Sequence, residues 1–162
     1  LTLVRHAKSD WSLPGQVDWD RPLNKRGQRD APEMARRLRS RKLKPDRMIS
    51  SPAVRALTTA SVMARELKVA ATQLRQDERL YLASPADMLA VVRELGGDAK
   101  HLMVFGHNPG ITEFANQLSA SEHIDNLPTC GVFTALFDIG DWRDLGWASG
   151  QEAEFDYPKN QP

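Results

Sequence analysis

LTLVRHAKSD, residues 1–10, runs four strand-like residues straight into an arginine and a histidine. Leu1–Val4 has the composition of a buried strand. Arg5 is a permanent cation and His6 titrates near neutrality, so neither belongs in the core that such a strand would occupy. In an open α/β sheet, however, ligands sit in the crevice beyond the carboxyl ends of the strands. The fold therefore turns on whether other strands end in the same chemistry.

Two do. RMIS, residues 47–50, reads as a short strand ending in Ser50-Ser51-Pro52, and the helix behind it carries Arg55 in its first turn. HLMVFG, residues 101–106, is an apolar strand that runs into Gly106-His107-Asn108-Pro109-Gly110, with ITEFANQLS as the following helix. The remaining segments alternate in the same way. Residues 24–43 read as a helix with Met34, Leu38 and Leu43 near one face; Pro32 is comfortable there only in a first turn beginning at Asp30. Ser51 is placed to cap a helix that Pro52 opens and that ends near Leu67. Residues 78–82 form a loop or short strand. Ser84, Pro85 and Asp87 start a helix that a Gly-Gly pair stops. GVFTALFDI and residues 152–157 are late strands at an edge. Alternating strands and helices predict a three-layer α/β/α domain spanning 1–162, its mostly parallel sheet flanked by helices.

The bulk numbers agree with one domain. The 162 residues are 41% hydrophobic and 27% charged, with a net charge of +1. Near neutrality in net charge, the chain has no strong pull toward nucleic acid. Its apolar runs are too short for a membrane span. The single cysteine, Cys130, cannot form an internal disulfide or build a zinc site alone, and a cytoplasmic setting is the expectation. Arg36, Arg37, Arg39, Arg41, Lys42, Lys44 and Arg47 crowd one stretch. They form either a solvated helix face or a docking face for an acidic partner; no aromatics interleave with them, which argues against single-stranded nucleic acid.

Arg5, His6, Arg55 and His107 thus fall at three strand-to-helix junctions on the ligand side. Guanidinium forks match phosphate oxygens. A neutral imidazole is a nucleophile, and a second imidazole can stabilise the equatorial oxygens of a transferring phosphoryl group. No carboxylate cluster suggests a metal, and no GxxxxGK[ST] loop suggests a nucleotide triphosphatase, so neither metal nor cofactor is expected.

RHA at 5–7, DRPLNKRG at 20–27, SSPAVRALTTA at 50–60 and GHNPG at 106–110 resemble, in order, the signature blocks of the histidine phosphatase superfamily, whose fold is phosphoglycerate-mutase-like. The short length and DRPLNKRG are most similar to the SixA-like phosphohistidine phosphatases. The resemblance implies that His6 becomes transiently phosphorylated, that Arg5 and Arg55 hold the phosphoryl group, that His107 completes the pocket, and that Ser9 contacts phosphate. Lys8 stands where many relatives carry an acidic residue, and Ser12 where many mutases carry Asn; Asn108 is expected to cap its helix.

One departure bears on the substrate. Many relatives carry a glutamate as general acid where DERLYLAS, residues 77–84, places Leu82. Leucine donates no proton, and an alkoxide leaving group needs one. A leaving imidazole does not, so the expected substrate is phosphohistidine on a protein, such as a phosphohistidine-carrying signalling domain. Asp10, Asp18, Asp20, Glu78 or Tyr81 remain open as substitutes from a loop, with loop hydrogen bonding the other role for Asp18 and Asp20. The compact segment between Ala83 and Lys100 leaves no long lid, which suits a protein-borne substrate. A broad phosphomonoesterase and a phosphate-sensing module without turnover are the alternatives.

Overall fold

The computed structural model describes residues 1–160. Its six-stranded sheet has the order β3-β2-β4-β1-β5-β6, with β1 at Thr2–Arg5, β2 at Arg47–Ser50, β3 at Leu74–Gln76, β4 at Leu102–Gly106, β5 at Val132–Leu136 and β6 at Gln151–Asp156. β3, β2, β4 and β1 are mutually parallel. β5 runs antiparallel to β1 and to β6, so the sheet is mixed, and parallel in its first four strands only. Between β5 and β6 there is only the three-residue 3-10 turn Trp142–Asp144, too short to carry the chain back for a parallel pairing.

Helices α1 (Lys25–Ser40) and α2 (Val54–Glu66) cover one face, and α3 (Pro85–Leu95) and α4 (Gly110–Leu118) the other. The strands are apolar on both sides for that reason. Leu3, Ile49, Leu102 and Val104 pack toward Met88, Val92, Ile111 and Phe114. Val4, Met48, Met103 and Phe105 pack toward Met34, Leu38 and Met63. Consecutive residues such as Leu3 and Val4 join different cores because side chains alternate across a strand. Among the described residues, no helix is long and apolar enough to cross a membrane.

Several boundaries differ from the sequence reading. α1 begins at Lys25, where Asn24 Oδ1 accepts from the Gly27 N–H at 2.9 Å, and Pro32 lies inside the helix rather than in its first turn. Buried Ala31, Met34, Ala35 and Leu38 hold that helix on the sheet past the proline. α2 begins at Val54, after Ala53, and Ser51 does not cap it. β3 had no strand signal: it is three residues long and flanked by polar side chains. Residues 78–80 form a single 3-10 turn capped by Asp77. α3 has the expected capping box of Ser84 and Asp87. β6 is an edge strand, whereas β5 lies inside the sheet.

From β1 the chain leaves toward β2, and from β4 it leaves toward β5 on the opposite side. The carboxyl ends of these two adjacent strands therefore form the topological switch point, where such sheets open a crevice. His6 and His107 follow directly after those two ends.

Candidate active site

The end of β1 is pinned from both sides. The His6 N–H donates to Gly106 O at 3.2 Å, and the Cys130 N–H reaches the carbonyls of Arg5 and His6 at 3.1 and 3.0 Å. The Ala7 N–H donates to Thr59 Oγ1 at 3.0 Å, and Thr59 donates in turn to Arg55 O at 2.7 Å, tying the strand end to α2. Downstream, Asp10 N–H donates to Pro22 O and Asn24 N–H to Lys8 O. The DRPLNKRG block thus folds back against the loop after β1 and sets Arg21 beside Ser9.

These supports open a cleft of about 220 Å³, lined among others by Arg5, His6, Ser9, Arg55, Leu82 and His107. All of the expected phosphate-binding and catalytic positions therefore meet. Lys8, Trp11, Asp18 and Arg21 also line the cleft.

The two imidazoles lie 5.3 Å apart, centre to centre. His6 Nδ1 is 2.8 Å from Ala7 O. A carbonyl only accepts, so Nδ1 carries the proton and Nε2 keeps its lone pair. Burial is the main cause that lowers the His6 pKa to about 3; the Ala7 bond opposes this, and the charges of Arg55 and Arg5 add to it. At neutral pH His6 is an uncharged imidazole with one free lone pair. His107 is lowered to about 3 as well, by burial first and then by His6 and Arg55. Its Nε2 lies 2.7 Å from Ser51 Oγ, and that oxygen accepts from the Ala53 N–H; with the Ser51 hydroxyl donating to Nε2, the neutral ring carries its proton on Nδ1.

Arg55 is buried, donating to Asp18 O at 2.7 Å and to Asp18 Oδ2 at 2.9 Å. Arg5 donates to Leu127 O at 3.0 Å. Arg5 Nε, Arg55 Nε and His107 Nδ1 are buried with no partner within the protein. Buried donors are ordinarily paired. Three such nitrogens on residues lining one cleft make a cradle for an anion with several acceptor oxygens.

Asp18 is the carboxylate in that lining. It also receives Arg21 Nε at 3.1 Å and the Tyr81 hydroxyl. Partial burial would raise its pKa, but the hydrogen bonds from Tyr81 and Arg55 outweigh this and hold it at about 2. Asp18 is therefore an ionised brace for two arginines. Asp10, Asp20 and Glu78 lie outside the lining; Asp10 accepts from the Ser12 N–H, and Glu78 is exposed in its 3-10 turn. Tyr81 stacks edge-on to His107 at 5.5 Å and tilts against Trp19 at 4.7 Å. Leu82 faces the cleft and is 57% exposed.

Other expectations change. Asn108 does not cap α4: its amide donates to Asn126 Oδ1 and Leu127 O, while its Oδ1 accepts from Thr112, so it anchors the 126–127 loop. Ser9 is in the cleft, where its hydroxyl accepts from Arg21 Nη1 at 2.6 Å. The basic stretch 36–47 forms ion pairs within the fold, among them Arg36 with Glu66, Arg37 with Asp156, Arg41 with Glu154 and Arg47 with Asp98. It runs from the last turns of α1 through the following loop to the start of β2.

Three residues that support the site were not assigned to it in the sequence reading: Arg21 and Thr59, which had no role there, and Ser51, which was read as a helix cap. Each lies inside a quoted block. Thr59 follows Arg55 by four residues, the spacing that puts both on one helix face.

Comparison with known proteins gives the class. The model of the histidine phosphatase superfamily, branch 1, matches residues 1–81, and the chain belongs to that superfamily. It is a phosphatase-type enzyme. An uncharacterized protein of Mycobacterium tuberculosis is 30% identical over 151 residues, covering 88% of this chain and 91% of the relative. An uncharacterized chloroplastic protein of Arabidopsis thaliana is 30% identical over 165 residues, covering 93% and 72%. Among solved structures, a candidate phosphohistidine phosphatase SixA from Agrobacterium tumefaciens superposes with a TM-score of 0.72 at 27% identity, over 81% of this chain and 86% of that one. The protein histidine phosphatase SixA complexed with tungstate superposes at 0.78 over 98% and 97%, and at 20% identity the likeness is one of fold.

Proposed function

We propose that this chain removes phosphate from protein phosphohistidine through a phosphorylated His6. The His6 Nε2 lone pair forms a bond to phosphorus as the substrate's P–N bond breaks. The electron pair leaves on the substrate nitrogen; an imidazole protonated on its other nitrogen departs neutral and takes no proton from the protein. Arg5, Arg55 and His107 meet the three equatorial oxygens, where negative charge gathers. Water then attacks phospho-His6 as the P–N bond breaks, both its protons leave with the dihydrogen phosphate product, and neutral His6 returns with its Nδ1 proton. Ser51 holds the His107 ring in place, and Asp18 holds Arg55.

The observation that carries this reading is Leu82 in the cleft beside an Asp18 locked in its ionised form. A site so built lacks a carboxylic acid to protonate an alkoxide, and a P–N substrate does not require one. Likeness to SixA supports the same substrate class.

Acid-quench labelling tests the mechanism. Protein phosphorylated on histidine with radioactive phosphate should leave an acid-labile label on the wild type and none on His6→Ala. Full turnover by His6→Ala would refute the assignment. Equal rates on phosphohistidine and on an alkyl phosphate would remove the argument from Leu82.

A further inference from the structure

Large apolar side chains exposed to water are unevenly placed on this molecule. Among the described residues there are six: Trp11, Leu13, Val17, Leu82, Leu136 and Trp147. Four of them belong to the cleft or to a loop that leads into it. Trp11 and Leu82 line it, and Leu13 and Val17 lie on the loop that joins Trp11 to Asp18, another lining residue. Their exposures are 72%, 56%, 64% and 57% for Trp11, Leu13, Val17 and Leu82. Val17 and Leu82 each precede or follow one member of the Asp18–Tyr81 hydrogen bond, so that bond draws the two loops together.

The rim is also held in shape. The Arg21 guanidinium sits 3.4 Å from the Trp11 ring centre. Arg21 is itself buried and fixed by Ser9 and Asp18. The loop turns at Gly15, whose φ of +76° suits glycine, and its far side is closed by Asp20 N–H donating to Val17 O. A preorganised tryptophan backed by arginine is the kind of group that dominates protein–protein binding, because little freedom is lost on contact.

We infer that Trp11, Leu13, Val17 and Leu82 form a docking surface for the folded protein that presents the phosphorylated side chain. This rests on the phosphohistidine reading given above and adds the surface that selects the carrier. The occupant follows from continuity and charge. Arg5, Lys8, Arg21 and Arg55 face the cleft against the one carboxylate of Asp18, which suits a phosphoryl dianion at the centre. Trp11 and Leu82 at its margin are apolar and exposed, which suits side chains flanking that phosphoryl group on a protein surface. A small polar phosphate held in a 220 Å³ cleft would leave these side chains in water. Leu82 then has a positive role: the position carries a contact to the substrate protein in place of an acid.

The test compares two substrates, a folded phosphotransfer domain phosphorylated on histidine and free phosphohistidine, with wild type and the double variant Leu13→Ser/Val17→Ser. Neither substituted residue lines the cleft, and both are on the surface, so folding and the chemical step should be kept. The variant should lose about tenfold or more in kcat/KM on the folded domain, mainly through KM, and stay within about twofold of wild type on free phosphohistidine. Unchanged kinetics on both substrates would overturn the docking surface and leave the phosphohistidine reading intact. Equal losses on both would overturn it too, as a general disturbance. A wild type inactive on both would defeat the underlying reading and the surface with it. Sedimentation of the same two proteins closes the remaining route: a wild-type dimer that the variant dissolves would assign the rim to a second copy of this chain instead.

Discussion

Lowering the pH from 7 to 5 should destabilise this protein by way of three histidines. His6 and His107 are buried and His101 half-buried, with pKa values lowered to about 3, about 3 and about 4, in each case chiefly by burial. An unfolded chain would bind these protons near pH 6.5, before the folded one. Stability is therefore present in full above 6.5 and is lost as the pH falls toward the folded values. Between pH 7 and pH 5 each ring removes about 2 kcal/mol, and the three together about 5–6 kcal/mol, against a typical total of 5–15. The carboxylates do not blur this window. Asp18, Asp46, Asp77 and Asp141 have lowered pKa values, so what they contribute is kept until below pH 4. Urea unfolding followed by tryptophan fluorescence at both pH values measures the loss. His6→Asn should remove about a third of the pH dependence, about 2 kcal/mol, by deleting one of the three rings. A loss below about 1 kcal/mol in the wild type would refute the reasoning, because the rings would then be titrating as they do in water.

Other changes follow from the same contacts. Leu82→Glu places a carboxyl on the exposed side of the cleft and should raise turnover of an alkyl phosphate by about 100-fold, the low end of what a general acid gives, while turnover of free phosphohistidine stays level; steady-state rates on both small substrates decide it. Gly110→Ala sets a Cβ 1.8 Å from Ala83 O, a backbone atom that cannot swing aside. It should cost about 2–3 kcal/mol and lower kcat by shifting both His107 and Leu82, as read by thermal melting and kinetics. Arg37 donates to the Asp156 carboxylate and to the carbonyls of Tyr157, Pro158 and Asn160. Arg37→Ala should free the 156–160 segment, and limited proteinase K digestion should then cut within it many times faster. Arg37→Lys should rescue little, since one ammonium cannot span four acceptors.

The catalytic centre was legible in the sequence because its parts sit at strand ends, and strand ends are marked by an apolar run stopping at a charged or imidazole side chain. Arg5-His6 and Gly106-His107 are both of this kind. What the sequence concealed was how polar side chains divide between local and distant partners. Ser51 precedes a proline and has the form of a helix cap, yet its hydroxyl is taken by His107, 56 residues away. Asn108 likewise ties down a loop rather than the helix beside it. Asp18 had two readings, an acid or a loop hydrogen bond, and became a brace because Arg21 and Arg55 close on it from different elements. Pro32 looked like a helix start because local preference was weighed without the sheet that buries Ala31 and Met34 on either side of it. The basic cluster read as a surface feature since its acidic partners, Asp98, Glu154 and Asp156, are far along the chain.

Arg5 and Gly106 are register partners on adjacent parallel strands, and the His6 N–H bonds to Gly106 O. The two imidazoles are thus carried by neighbouring rungs of one ladder. Their 5.3 Å separation is close to the roughly 4.8 Å repeat between strands. The gap that a phosphoryl group must fill is in this sense a lattice constant of the sheet, insensitive to the lengths of the loops around it. Loops 10–20, 81–84 and 126–129 could be lengthened, shortened or recoloured for a new substrate protein while the distance between nucleophile and its partner ring stayed as it is. Chemistry and recognition are held by separable parts of the chain, one measured by backbone hydrogen bonds and the other free to drift.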